Sequence, residues 1–433
     1  MMTVPGSKSF PSTQNMKEYA IAFFKWFSVA IVIGLCCGAV AVLFHRSIEW
    51  GDQLMVKYLF LLYCLPIAGL LIVLMYSICH MQDDGGTNRI FESAQSGAKV
   101  PFRMFPLIFI ATFLTHFFGG SSGREGAALQ IGGSIGNNVG TLFHFSKNDM
   151  RLITLCGMSA VFSGLFGTPL TAAIFCIEVT SIGVIHYSAL IPCLVSSLVA
   201  YLFAGYFGME AMAFDATAFQ QAFSWFTAVK TIPLAMLCAA VSIIICILFK
   251  HSGKLFAKLI TNPALRIALG GLLVVLITLA LGTRDFNGGG IPFIVNTVNS
   301  GKVVFWACIA KLVLTAITLG SGFKGGEIIP TMFIGATFGA AIGPLLGLDA
   351  SFAAGIALIA VFCGVVNCPL ASTFLAVELF GADTILYFAL ACAISYMMSG
   401  QFSLYTAQLF LSSKLKPTNV KEEPPKGGSP KQA

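Results

Sequence analysis

Two short stretches set carboxylates between glycines in a chain that is otherwise apolar around them. The first is Ser121-Ser122-Gly123-Arg124-Glu125-Gly126-Ala127, the second Gly325-Gly326-Glu327-Ile328-Ile329-Pro330. Each breaks the backbone before a run of small residues at helical spacing. Gly132, Gly136 and Gly140 follow the first; Gly335, Gly339 and Gly343 follow the second. A helix start leaves its first N–H groups unbonded and carries partial positive charge, which is the chemistry that holds an anion. Glu125 falls where such an anion sits, so its carboxylate competes for the seat and leaves it when protonated. Gly123, Gly126 and Ala127 leave the backbone open to the ion, while Arg124 either anchors the break or touches the ion. Pro330 suits a first helical turn, where no N–H is missed. The amides of Ile328 and Ile329, beside Gly326, then aim at the same anion. Glu327 repels an anion there unless it carries a proton or faces the other side. The plainer reading of the first stretch is a surface loop with an Arg124–Glu125 ion pair.

Other ionisable residues sit in apolar surroundings, where charge is costly and by default functional. Glu178 and Glu378 end two matching segments that begin at Pro169 and Pro369, and we expect both to cap backbone N–H groups. Lys311 either snorkels or holds a positive field for anions. His116 reads as a satisfied helix histidine. Neither glycine-rich stretch ends in Gly-Lys-Ser/Thr, so neither is a phosphate loop. No nucleophile–base pair or metal-ligand spacing is present, which excludes an intramembrane enzyme and leaves no cofactor to expect.

The elements that must position these groups are helices in lipid. Of 433 residues, 57% are hydrophobic and 10% charged, against about 25% charged in ordinary globular chains. The apolar runs are long and do not alternate: Ile21–Leu43, Leu59–Ile78, Phe105–Phe118, Ala189–Phe207, Ile232–Phe249, Ile267–Leu281 and Val303–Leu319. That pattern fits spanning helices and not a membrane β-barrel. Several runs are too short to cross alone, and breaks at membrane depth survive only inside protein or along a cavity. The expected fold is therefore an all-α polytopic membrane protein of many short, tilted, broken helices.

Net charge is +7, much of it at the ends: Lys8, Lys17 and Lys25 before and within the first run, Lys414, Lys416, Lys421, Lys426 and Lys431 in the last stretch. Basic ends fit the cytoplasmic side. No basic groove with interleaved aromatics accompanies them, so nucleic acid is not an expected partner. The thirteen cysteines lie mostly in apolar runs, among them Cys36, Cys37, Cys176, Cys246, Cys363 and Cys368, and read as small buried hydrophobes. No cleavable signal peptide is evident. Residues 1–18 read as a cytoplasmic segment, 19–413 as the membrane domain, and 414–433 as a short disordered tail without a regulatory domain.

The chain also repeats. Ala160-Val161-Phe162-Ser163-Gly164 returns 200 residues on as Ala360-Val361-Phe362-Cys363-Gly364, and Pro169-Leu170 returns as Pro369-Leu370. Gly85-Gly86 and Ser96-Gly97 are echoed by Gly289-Gly290 and Ser300-Gly301. The halves run over about 60–208 and 264–413. Repeated halves with interrupted helices point to a transporter with its site at the repeat interface near the bilayer midplane. Whether the repeats are parallel or inverted is open at this level.

In combination and order, these motifs resemble the CLC family of chloride channels and anion/proton antiporters. Gly123-Arg124-Glu125-Gly126-Ala127 is similar to its GREGP motif, with Ala for Pro. Gly325-Gly326-Glu327-Ile328-Ile329-Pro330 is similar to GGxFxP, and Gly86-Thr87-Asn88-Arg89-Ile90 occupies the place of GSGIP. Tyr405 resembles the tyrosine that caps the central anion site. The resemblance implies inverted repeats, a homodimer with one pore per subunit, and Glu125 as an outer gating glutamate. It also implies Thr87, Asn88 and Tyr405 as anion-site residues. The antiporters' inner proton-transfer glutamate falls at Val179, as in channel members. Phe323-Lys324-Gly325-Gly326-Glu327 is instead similar to the fluoride-exporting branch, whose GGEVTP signature carries a glutamate here, although Ile329 replaces its threonine. The expected function is halide transport, fluoride or chloride, coupled to protons through Glu125 and Glu327 in a bacterial inner membrane. The alternative is a passive, voltage-gated chloride channel.

Overall fold

The computed structural model describes residues 13–415 except 210, 211, 213 and 221. The first twelve residues and the tail from 416, expected as cytoplasmic ends, lie outside the described residues. The first half runs α1 (Thr13–Lys57), α2 (Phe60–Tyr63), α3 (Leu65–Ile78), α4 (Thr87–Ser96), α5 (Met104–Phe117), α6 (Glu125–Leu142), α7 (Lys147–Phe166), α8 (Pro169–Val179) and α9 (Leu190–Tyr206). The second runs α10 (Trp225–Leu259), α11 (Pro263–Leu281), α12 (Ile291–Ser300), α13 (Ala307–Ser321), α14 (Ile328–Ile342), α15 (Ala350–Val366), α16 (Pro369–Phe380) and α17 (Ile385–Met398). Two two-residue strands, β1 (Ser181–Ile182) and β2 (Leu409–Phe410), pair in parallel and tie the last segment to the end of α8.

Among the described residues, six helices are long and apolar enough to cross a membrane. Seven more are apolar but have only 10–17 residues. At 1.5 Å per residue, a helix like α8 covers roughly half of a bilayer core of about 30 Å. Such helices end inside the protein, where neighbouring groups must satisfy the freed backbone. α1 and α10 are longer than the apolar runs within them, 45 and 35 residues. In α1 the reason is legible afterwards: His45, Glu49, Asp52, Gln53 and Val56 recur at helical spacing and line a cavity. The apolar run stops at Leu43, but the helix continues with a polar stripe facing that cavity.

Apart from the four-residue α2, the halves match element by element. α1 packs on α5, α7 and α9, and α10 packs on α13, α15 and α17. The correspondence thus reaches upstream of 60 and 264, to two long helices with no sequence echo. The sense of the repeat follows from α8 and α16. The Glu178 carboxylate, near the end of α8, accepts from the N–H groups of Leu370 (3.2 Å) and Ala371 (2.8 Å) at the start of α16. Glu378, near the end of α16, accepts from Leu170 (2.9 Å) and Thr171 (2.8 Å) at the start of α8. Equivalent helices that cap each other head to tail run antiparallel, so a two-fold axis perpendicular to them relates the halves. With spanning helices that axis lies in the membrane plane, and the repeats are inverted.

Glycine ladders set the inner packing. A Cβ on Gly132 or Gly136 would strike the carbonyls of Gly157 or Ile153 on α7, and one on Gly339 the carbonyl of Ala353 on α15. α6 and α14 therefore lie closer to α7 and α15 than side chains allow, the small-residue packing of membrane helices. All thirteen cysteines are free and nine are buried; Cys36 is the exposed exception.

Candidate functional site

The two glycine breaks meet. Gly123 and Gly326 form an isolated antiparallel bridge in which each N–H donates to the other's carbonyl at 2.7 Å. Each stands two residues before the first residue of its helix, Glu125 of α6 and Ile328 of α14. The bridge therefore repeats, at the centre of the molecule, the two-fold relation seen at α8 and α16. It also brings two helix N-termini together from opposite halves, where unbonded amides and aligned dipoles favour negative charge. The approach is backbone on backbone: a Cβ on Gly126 would lie 3.0 Å from Gly326 Cα and 3.3 Å from Glu327 Oε2.

Glu125 opens α6 and is 1% exposed. Its Oε2 accepts from the N–H of Arg124 at 2.9 Å, and its Oε1 lies 3.8 Å from Arg124 Nε. The carboxylate thus folds back over its own helix start, and the pair is not a solvated surface loop. Arg124 and Glu125 line the floor of a cavity of about 640 Å³ between α1, α7 and α12. Ile329 shares that lining. Ala127 and Ile328 are fully buried. Glu327 caps the start of α14 without a side-chain hydrogen bond to it and is partly buried.

Around this crossing stand the remaining sequence-derived residues. Tyr405 is 4% exposed, its hydroxyl has no hydrogen-bond partner among the described residues, and its ring meets Phe91 edge-on at 4.8 Å. A buried hydroxyl without a partner is costly, so it is available to a ligand. Thr87 Oγ1 lies 3.4 Å from the Gly126 carbonyl and accepts from Gln130 Nε2 at 3.0 Å. Asn88 Oδ1 is spent on the N–H of Ala407 at 2.9 Å, which fastens the Tyr405 segment to the start of α4. Val179 is fully buried, and its carbonyl accepts from Gln408 Nε2 at 2.8 Å.

Lys311 does not snorkel. It is fully buried on α13, and its ammonium donates to the carbonyls of Phe286 (3.1 Å) and Gly288 (2.6 Å). It holds the turn that leads into α12. His116, expected to be satisfied, is not: it is 2% exposed, and neither ring nitrogen has a hydrogen-bond partner among the described residues. Gln130 was missed entirely, and its Oε1 is likewise buried and unpartnered. Its only signal was an amide among the small residues that follow the first glycine break.

Inverted halves, short helices ending at depth and a central crossing of two helix starts define a membrane ion transporter or channel. The chain belongs to the voltage gated chloride channel (CLC) family, whose model matches residues 67–400. It is 35% identical over 408 residues to a chloride/fluoride channel protein of Pseudomonas syringae pv. tomato, covering 90% of this chain and 87% of that one. An H(+)/Cl(-) exchange transporter, ClcA of Yersinia pestis, is 25% identical over 81% of this chain and 79% of its own. Among solved structures, a CLC-type fluoride/proton antiporter superposes with a TM-score of 0.86 at 27% identity, covering 93% of this chain and all of that one. A slow cyanobacterial Cl-/H+ antiporter gives 0.73 at 21% identity over 86% and 94% of the two chains, a likeness of fold. This family comprises membrane-embedded anion channels and exchangers, not enzymes.

Proposed function

We propose that this protein exchanges a halide for protons, with Glu125 as gate and first proton carrier and Glu327 as the second. The observation that carries it is the crossing itself. Two carboxylates from opposite halves stand at neighbouring helix starts, Glu327 Oε2 only 3.3 Å from the place a Cβ on Gly126 would take. A deprotonated Glu125 occupies the amides an anion needs; protonated, it vacates them, so proton and anion alternate. Glu327 supplies the second protonatable group that Val179 cannot. The anion is held by the backbone around Gly123, Gly126, Ala127, Gly326, Ile328 and Ile329, with the free hydroxyl of Tyr405 and with Thr87 behind them. Asn88 acts at one remove, through the Tyr405 segment. A carboxylate at position 327, together with the fluoride/proton antiporter that the fold resembles, favours fluoride as cargo.

Orientation follows from charge. Lys25 on α1 bonds Asp149 on α7 at 2.9 Å, so the start of α7, with Lys147 and Arg151, shares a face with the start of α1. The end of α10 carries Lys250, Lys254 and Lys258, and inversion places it on that face too. An excess of lysine and arginine marks the cytoplasmic side. Both termini are then cytoplasmic, the cavity above Glu125 opens outward, and the membrane is a bacterial inner membrane. The transport unit spans 19–413, and two copies associate with one pathway each.

Reconstituted in liposomes under a fluoride or chloride gradient, the protein should move protons against the anion. Glu125→Gln should abolish proton movement while some anion flux persists; unchanged coupling would remove Glu125 from the mechanism. A passive channel is the second reading, favoured by the valine at 179. It requires anion flux without any proton movement in the unmodified protein.

A further inference from the structure

One titratable cluster beside the site is left unused by this mechanism. A small cavity of about 60 Å³ is lined by Asp52, His116, Arg124 and Glu125 together with the turn from Gly289 to Pro292. His116 Nδ1 lies 3.4 Å from Asp52 Oδ1, and neither atom makes a hydrogen bond to any described group. Asp52 is 40% exposed, while His116 is 2% exposed. Asp52 and Glu125 line both cavities while His116 lines the small one, so the pair offers the Glu125 carboxylate, itself only 1% exposed, a second route to the large cavity through the small one. Gly288 borders the pair: a Cβ there would be in ordinary contact, 3.4 Å from Asp52 Oδ1 and 3.7 Å from His116 Nδ1.

We propose that Asp52 and His116 form a proton relay between the large cavity and Glu125. This rests on Glu125 being the proton carrier. An imidazole changes charge within the physiological range and has two nitrogens, so it takes a proton on one and releases one from the other. Water in the large cavity gives its proton to Asp52 or directly to Nδ1. The imidazolium releases the proton from Nε2, through water in the small cavity, to the Glu125 carboxylate. A void of this size, with Asp52, His116, Arg124 and Glu125 in its wall, has room for water. The net step moves one proton from solvent to Glu125 and restores the neutral ring. The electrostatic surroundings are mixed. α1 adds His45 and Glu49, with His45 Nε2 3.7 Å from Glu49 Oε2. The helix start adds Arg124, α13 adds Lys311 behind the Gly288 carbonyl, and Arg284 is occupied with the carbonyls of Met55 and Val56. Asp52 Oδ1 is the carboxylate oxygen that faces the ring, 3.4 Å from Nδ1.

The test compares proton-coupled flux in proteoliposomes for the unmodified protein, His116→Gln, Asp52→Asn and Glu125→Gln. It is run at about pH 5.5 and about pH 8, which bracket the range where imidazoles titrate. His116→Gln should lose on the order of tenfold in proton-coupled rate at the higher pH, with the gap closing at the lower, where hydronium reaches Glu125 unaided. Asp52→Asn, at a half-exposed position, should shift the profile in the same direction and covers the case where the histidine variant misfolds. Profiles that superimpose on the unmodified one overturn the relay. So does a His116→Gln effect confined to anion KM at both pH values, which would mark the ring as a charge near the anion. Coupling lost in Glu125→Gln alongside an unchanged His116→Gln profile defeats the relay only. Coupling retained in Glu125→Gln defeats both.

Discussion

Gly126 decides how near the two carboxylates come. The backbone of α6 meets Gly326 and Glu327 with no room for a methyl, and the nearest obstacle is main chain, which cannot swing aside. Gly126→Ala should force the two helix starts apart by a few tenths of an ångström. Overpacking of this kind costs about 1–3 kcal/mol. In a site that depends on aligned amides, it should lower anion flux at least roughly tenfold. Flux and thermal midpoint measured on the same preparation separate the two effects; full flux in a folded variant would show that the crossing is not the pathway. The glycines and carboxylates here were legible in sequence because a backbone break is a local event. His116 and Gln130 were not, because what they face is set by Asp52 on α1, more than 60 residues upstream, in the one case and by the α4 start in the other.

Among the elements, α8 and α16 show why two glutamates stand in matching positions. Each carboxylate accepts two backbone N–H groups at the start of the other helix, where charge-assisted bonds and the helix dipole act together. These bonds are half-buried or buried, and without the carboxylates four amides would lose their acceptors. Leaving a buried donor unsatisfied costs about 1–3 kcal/mol. Glu178→Leu and Glu378→Leu should each lower the unfolding midpoint in detergent by several degrees. The matching Gln variants, which keep one acceptor oxygen, should lose less. A Glu178→Leu variant of unchanged stability but lost transport would instead assign that residue to the ion path. The capping itself was expected from the sequence; that the caps are exchanged between halves was not. Helical periodicity says which residues share a face but carries no direction in space, so the inverted sense emerged only from the paired ends.

At the scale of the whole molecule, inversion turns a single repeated grammar into two different environments. The start of α6 faces the large cavity with Arg124 and Glu125, and the start of α14 supplies Glu327 from the other half. α1 and α10, which no sequence echo linked, are the frame that makes this so: one ends at the cavity, and the other ends in lysines. The orientation is then a testable consequence of charge. A periplasm-active reporter fused after Asp215, in the segment from which Met212 reaches the cavity, should be active; one fused after Lys258 should be silent. A cytoplasm-active reporter should give the reverse pattern. The opposite result would place Glu125 on the cytoplasmic side, and protons would then enter the Asp52–His116 pair from within the cell. Substituting Lys250, Lys254 and Lys258 together with Gln should weaken the preference, because each basic residue near a span end biases insertion. A pattern indifferent to that change would mean that the basic head before α1, and not the end of α10, sets the topology.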